Sequence, residues 1–153
     1  MSTINTSRVL LGGLAAGLII NISEFVLNAI VLDAQWKAAM AALGRPPIES
    51  PAVIAGFNLI GFVTGIAMVW LYAAIRPRYG AGQKTALIAA VAIWVIYTGL
   101  SSAGIMLMDL FPMSLLCTGL VWGLGELLVA GVVGAALYKE ETAGLASAAS
   151  GAH

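Results

Sequence analysis

Charge is what this chain has least of. Seven basic and seven acidic residues are spread over 153 and cancel, and no run of Lys and Arg occurs. A protein that grips nucleic acid needs a basic patch to meet phosphates, so nucleic acid is excluded as a partner. Cysteine is nearly absent as well. Cys117 stands alone inside an apolar run, which rules out a disulfide within one chain and a thiolate-ligated metal. The single histidine is His153, the last residue, so no imidazole inside the apolar runs can ligate a haem or a pigment. Ser101 and Ser102 have no His or Lys in any apolar run to act as their base, and nucleophilic catalysis is not expected. No enzyme activity and no cofactor are expected from these residues.

What fills the chain instead is hydrocarbon, with 61% hydrophobic residues and a mean hydropathy of +1.00. Crossing about 30 Å of lipid takes roughly 20 mostly apolar residues. Four stretches are long enough: Arg8 to Leu32, Ala52 to Ile75, Thr85 to Met108 and Met113 to Tyr138. The first resembles a secretory signal in following Arg8, yet it lacks a small-x-small cleavage site and stays apolar past Glu24, so an uncleaved helix is expected. The fold class is all-α: a four-transmembrane-helix, up-down-up-down bundle occupying residues 1–141. The remaining residues, 142–153, are small and weakly polar, and a disordered cytoplasmic tail is expected there.

The connections are well punctuated. Ser50-Pro51 supplies an N-cap and a first-turn proline for the second span. Pro77 is expected to close that span, and Asp109-Leu110-Phe111-Pro112 is short enough to make the last two spans a hairpin. The first connection is longer. Within it Trp36, Met40 and Leu43 recur at helical spacing before Gly44 and Pro46-Pro47. This pattern predicts a short helix over Ala34 to Leu43, lying on the membrane surface with Trp36 as its anchor. An ordered loop is the alternative. Arg8, Arg76, Arg78, Lys84 and Lys139 fall on one side of the spans and Lys37 and Arg45 on the other, which puts both termini in the cytoplasm of a multi-pass protein of the cell (inner) membrane.

Two acids interrupt the hydrocarbon, Glu24 in the first span and Glu126 near the centre of the fourth. An ionisable group at bilayer depth is expensive and therefore a candidate for function. Gly13, Gly17, Asn21, Glu24 and Asn28 step by three or four along one helix face, as do Gly119, Gly123, Glu126, Ala130 and Gly134. Asn58, Gly61 and Gly65 share a stripe in the second span, and Tyr97, Ser101 and Gly104 share one in the third. GxxxG pairs in three spans lie on the same faces as the polar groups, so those groups are expected at helix contacts. A rise of about 1.5 Å per residue puts Glu24 some 6 Å, about one helical turn, from the level of Glu126. No Lys, Arg or His lies in any span to pair with either acid. At least one of the two is therefore expected to carry its proton at neutral pH unless a cation is bound.

Leu11-Gly12-Gly13, Trp36-Lys37-Ala38-Ala39-Met40 and Leu110-Phe111-Pro112 before a Gly- and Trp-containing last helix together resemble a group of bacterial four-helix membrane proteins classed only as a domain of unknown function. That resemblance implies fold and membrane location and assigns no activity. Small multidrug transporters also have four helices and a first-helix glutamate. The residues around that glutamate are missing here and the first loop is longer, so that family is a poor match.

Two functions remain. In one, Glu24, Glu126, Asn21, Asn28, Asn58 and Ser101 bind or conduct a proton, cation or small solute. In the other, the polar residues only fix helix packing in an accessory or scaffold subunit. A bundle this small barely encloses a pathway, so beyond the lipid bilayer its expected partners are further copies of itself or a larger membrane complex. Trp70, Trp94 and Trp122 are expected to face lipid or sit in interfacial belts, with a pigment or quinone pocket as the lesser alternative.

Overall fold

A computed structural model describes residues 4–139; the proposed tail and His153 lie outside them. The described residues form five helices and no strand. Four are long and apolar enough to cross a membrane: α1 (Thr6–Val31), α3 (Pro51–Tyr79), α4 (Gln83–Leu107) and α5 (Met113–Leu137). Between the first two of these lies the short α2 (Asp33–Ala42). The chain is thus a membrane protein by the length and composition of its helices.

Each long helix is apolar on every side, so polarity cannot decide which face turns inward. Size decides it. Ala16, Ala89, Ala90 and Ala130 are fully enclosed, whereas Leu18, Phe25, Phe57 and Val121 are exposed. Burying a leucine gains nothing over lipid, and close backbone approach gains dispersion contacts. Glycine permits the closest of these approaches. A Cβ on Gly13 would sit 2.5 Å from the Ile66 Cα, and one on Gly17 would sit 2.7 Å from the Phe62 Cα. Gly119, by contrast, faces open space. α1 packs between α3 and α5, and α4 packs on α3 and α5.

Around that core, aromatic hydroxyls tie the chain ends together. Tyr138 accepts a hydrogen bond from the Asn5 backbone N–H, and its ring meets Tyr72 edge-on with centroids 5.9 Å apart. The Arg76 guanidinium stacks 5.7 Å from the Tyr138 ring centroid. Tyr72 in turn accepts from the Gly82 N–H, holding the turn into α4.

Pro77 does not close α3. The helix runs through it to Tyr79 and stops at Gly80, whose φ is +86°. A proline in the last turn forfeits one backbone bond and keeps a helical φ, so it bends the end without ending it; the left-handed glycine is the stop. Ser50 occupies the N-cap position of α3 but its side chain makes no capping bond. Asn5 does cap α1, accepting from the Arg8 N–H at 3.1 Å.

α2 forms close to where the spacing predicts it. It ends in a Schellman motif: Gly44, at φ +65°, donates to the Ala41 carbonyl, and Arg45 donates to that of Met40. The Asp33 carboxylate bonds the Lys37 ammonium at 2.9 Å and holds it above the usual lysine range. Leu27, Leu32, Ala39 and Leu115 make a second small core beneath α2, with Trp36, Phe111 and Trp122 packed on it.

Candidate functional site: a carboxyl pair served by two indole relays

Two of the long helices change pitch, α1 at its C-terminal end and α4 at its middle. α1 is π-helical over Leu27–Val31, where the Leu32 N–H donates to Leu27, five residues back. α4 is π-helical over Trp94–Gly99, where the Leu100 N–H reaches the Val95 carbonyl. A π turn admits one extra residue, rotates everything beyond it by about 100° and frequently marks a functional site. Glu24 lies three residues before the first π turn and Tyr97 lies inside the second.

In α1 the distortion is matched by a side chain. Asn28 Nδ2 donates both to the Glu24 carbonyl oxygen, at 3.0 Å, and to Glu24 Oε2 at 2.5 Å. The Asn28 Oδ1 accepts from the indole N–H of Trp36 on α2 at 2.8 Å. The ring of Trp36 is itself held edge-on by Phe111, with centroids 5.4 Å apart. The order is therefore indole, amide, carboxyl. Because Trp36 commits the amide oxygen, the amide nitrogen is the end left to face Glu24.

A second indole bond lies near the other acid. The Trp122 indole donates to Ser23 Oγ across α5 and α1 at 2.9 Å. Ser23 adjoins Glu24 and Trp122 lies one turn before Glu126, so this bond joins the stretches of α1 and α5 that carry the two acids. Glu126 is only 8% exposed, and its Oε2 is buried with no hydrogen-bond partner among the described residues. Glu24 is exposed. Tyr97 of α4 is itself exposed.

The other expected site residues fall elsewhere. Asn21 donates to the Asn58 carbonyl at 3.1 Å, and the Asn58 amide returns to its own helix at the Ile54 carbonyl. Both bonds concern helix packing and backbone satisfaction. Ser101 is exposed, while Ser102 is half-buried. Tyr97, Ser101 and Gly104 are all exposed, so the whole expected stripe faces outward, and Thr98, Ser102 and Ile105 take the half-buried positions. Trp94 also donates across helices, to the Leu120 carbonyl of α5 at 3.0 Å, and Trp70 is exposed.

Sequence reasoning missed Ser23, and it took Trp36 and Trp122 for membrane-facing residues. The signal available was that Ser23 adjoins Glu24. Among the described residues no three His, Cys, Asp or Glu side chains gather as a metal-ligand set. The chain matches no protein-family model, and neither the curated proteins nor the solved structures contain one significantly similar to it. The resemblance to the four-helix group accordingly stands on the three quoted motifs.

Proposed function

We propose that this protein binds or conducts a proton, a cation or a small solute at the Glu24–Glu126 pair. The single observation that carries the proposal is the buried Glu126 Oε2 without a hydrogen-bond partner among the described residues, on a stretch of α5 that Trp122 ties to the Ser23–Glu24 stretch of α1. Leaving such a group unsatisfied costs about 1–3 kcal/mol. Interhelical polar contacts in membranes return only about 0.6 kcal/mol on average. A packing role alone therefore makes a poor reason to keep a carboxyl there, and serine or asparagine would serve better.

The setting that goes with this reading is an up-down-up-down bundle in the cell (inner) membrane. Both termini lie in the cytoplasm, on the side richer in Lys and Arg. α2 then rests on the opposite surface, its exposed Lys37 toward water, and the carboxyl pair opens toward that side. A bundle of this size works as a homo-oligomer or within a larger complex, with GxxxG faces used for helix contact.

The alternative of an accessory or scaffold subunit is favoured by one observation, the Asn21 amide donating to the Asn58 backbone carbonyl, in which a polar side chain does act as glue. Infrared titration in lipid separates the two. Comparing wild type with Glu24→Gln and Glu126→Gln, transport predicts a carboxyl band that shifts on adding a cation and vanishes in one variant. If neither band responds to pH or solute and both variants assemble with altered stability, the scaffold reading replaces it.

A further inference from the structure

One end of the bundle collects bases without acids to match them. Tyr138, just past α5, binds Asn5 before α1 and packs on Tyr72 and Arg76 of α3, while Tyr72 holds Gly82 before α4. Arg8, Arg76, Arg78, Lys84 and Lys139 each lie within three residues of one of those contacts. Asp33, Glu49 and Asp109 fall instead in the α1–α3 and α4–α5 connections. Glu140 and Glu141 follow Lys139 but lie outside the described residues, and five bases outnumber them.

Helix stability does not call for these bases. Arg8 and Lys84 stand in the first turns of α1 and α4, where the helix dipole favours acids, and neither turn holds one. Among the described residues no carboxylate pairs with Arg78 or Lys84. The positive-inside rule accounts for the side on which bases fall and asks nothing of their arrangement.

Their arrangement is nevertheless fixed at the turn from α3 to α4. Thr85 is only 1% exposed and donates its hydroxyl to the Gly80 carbonyl at 2.7 Å. The buried Tyr72 hydroxyl accepts from the Gly82 N–H at 3.2 Å. Gly80 and Gly82, at φ +86° and +127°, make bends that a side chain would strain. Two buried hydroxyls thus pin a turn flanked by exposed Arg78 and Lys84, with exposed Tyr79 at its start. Each base also heads an exposed helix stripe, Arg78 above Ala74 and Trp70 on α3, and Lys84 above Leu87 and Val91 on α4.

That combination fits an anionic lipid. An arginine fork and a lysine point charge suit phosphate oxygens, tyrosine suits the headgroup level, and the stripes below offer hydrocarbon for acyl chains. We propose that the α3–α4 turn is a headgroup site for an anionic phospholipid, with Arg78 and Lys84 on its phosphate and its acyl chains along the two stripes. The site stands apart from the carboxyl pair and does not depend on it.

The test uses the full chain in neutral detergent and native mass spectrometry to read bound lipid. The probes are phosphatidylglycerol and phosphatidylcholine with the same acyl chains, and inorganic phosphate as competitor. A base near an anionic headgroup is worth about fivefold in affinity, so two should favour phosphatidylglycerol about 25-fold. Arg78→Gln with Lys84→Gln should erase that preference. Arg78→Lys with Lys84→Arg, which keeps both charges at exposed positions, should retain most of it. Lys37→Gln with Arg45→Gln, in the α1–α3 connection, should leave it unchanged. Equal retention of the two lipids, or equal loss of preference in the Lys37/Arg45 variant, overturns the site. Displacement of phosphatidylglycerol by millimolar inorganic phosphate would assign the turn to soluble anions and overturn the lipid assignment.

Discussion

At the end of the bundle where Asn5 meets Tyr138, helices touch backbone to backbone around fully enclosed alanines, and every aromatic hydroxyl in the core has a partner. From the middle of the bundle to the end where Trp36 meets Phe111, two helices change pitch, ten residues of α3 stand exposed, and the buried Glu126 Oε2 has no hydrogen-bond partner among the described residues. The same apolar alphabet builds both. What differs is that one end optimises van der Waals contact while the other forgoes it to keep polar groups and space. Sites that bind and release something are drawn from the less stable part of a fold. The division of labour is therefore itself a reason to look for function at the Trp36 end.

The comparison can be broken most severely at its tight end. Gly13→Leu would drive a side chain into the Ile66 backbone, where a Cβ alone already lies 2.5 Å from the Cα. Overpacking of this kind costs about 1–3 kcal/mol and more when only backbone is available to yield. Loss of the folded, monodisperse protein in detergent is the expected outcome. Gly119→Leu, in open space, is the matched control and should leave the stability within about 0.5 kcal/mol of wild type. If both variants behave alike, the tight end is not what holds the molecule together.

At the other end the sign should reverse. Glu126→Leu removes an unsatisfied buried acid and keeps an apolar side chain of similar size, so it should stabilise the bundle by about 1–3 kcal/mol while eliminating any cation response. Stabilisation with loss of function marks a site held under strain. Destabilisation, read as a lower midpoint in the same detergent, would instead show that Glu126 contributes to packing.

Which parts of this were legible in the sequence follows from physics. The four spans were, because a 25-residue apolar run has few alternatives. So was α2, since Trp36, Met40 and Gly44 carry a period and a stop. The two acids identified themselves by cost. The π turns were not legible: nothing in Leu27–Val31 or Trp94–Gly99 departs from an ordinary apolar helix, and the extra residue is accommodated only because Asn28 and neighbouring helices supply replacement contacts. Ser101 was misplaced together with its whole stripe: Tyr97, Ser101 and Gly104 are all exposed, and in a helix apolar on every side little in the sequence marks which face turns inward. Pro77 misled for a different reason: its effect depends on how near the helix end it lies, and the end is set by Gly80. The tryptophans were read by frequency, as membrane anchors, when the deciding fact was which oxygen each indole could reach.

The smallest expected effect is the most specific to the relay design. Trp36→Phe keeps the edge-on packing against Phe111 and deletes only the N–H that commits Asn28 Oδ1. A single neutral hydrogen bond is worth about 0.5–1.5 kcal/mol net, so the thermal midpoint should fall slightly. The larger consequence is orientational. Freed from the indole, the Asn28 amide can turn its oxygen toward Glu24, replacing a donor with an acceptor beside the carboxyl. The protonated form of Glu24 then becomes the better partner, and its infrared band should persist to higher pH than in wild type. Trp122→Phe, which deletes only the bond to Ser23, should move the Glu126 band and leave the Glu24 band in place. Lys37→Ala, one residue from Trp36 on the exposed side of α2, should move neither band. A shift of both carboxyl bands in their own variants and in neither of the others would show two separate relays; a common shift in all three would mean that α2 acts on the pair only as a cover.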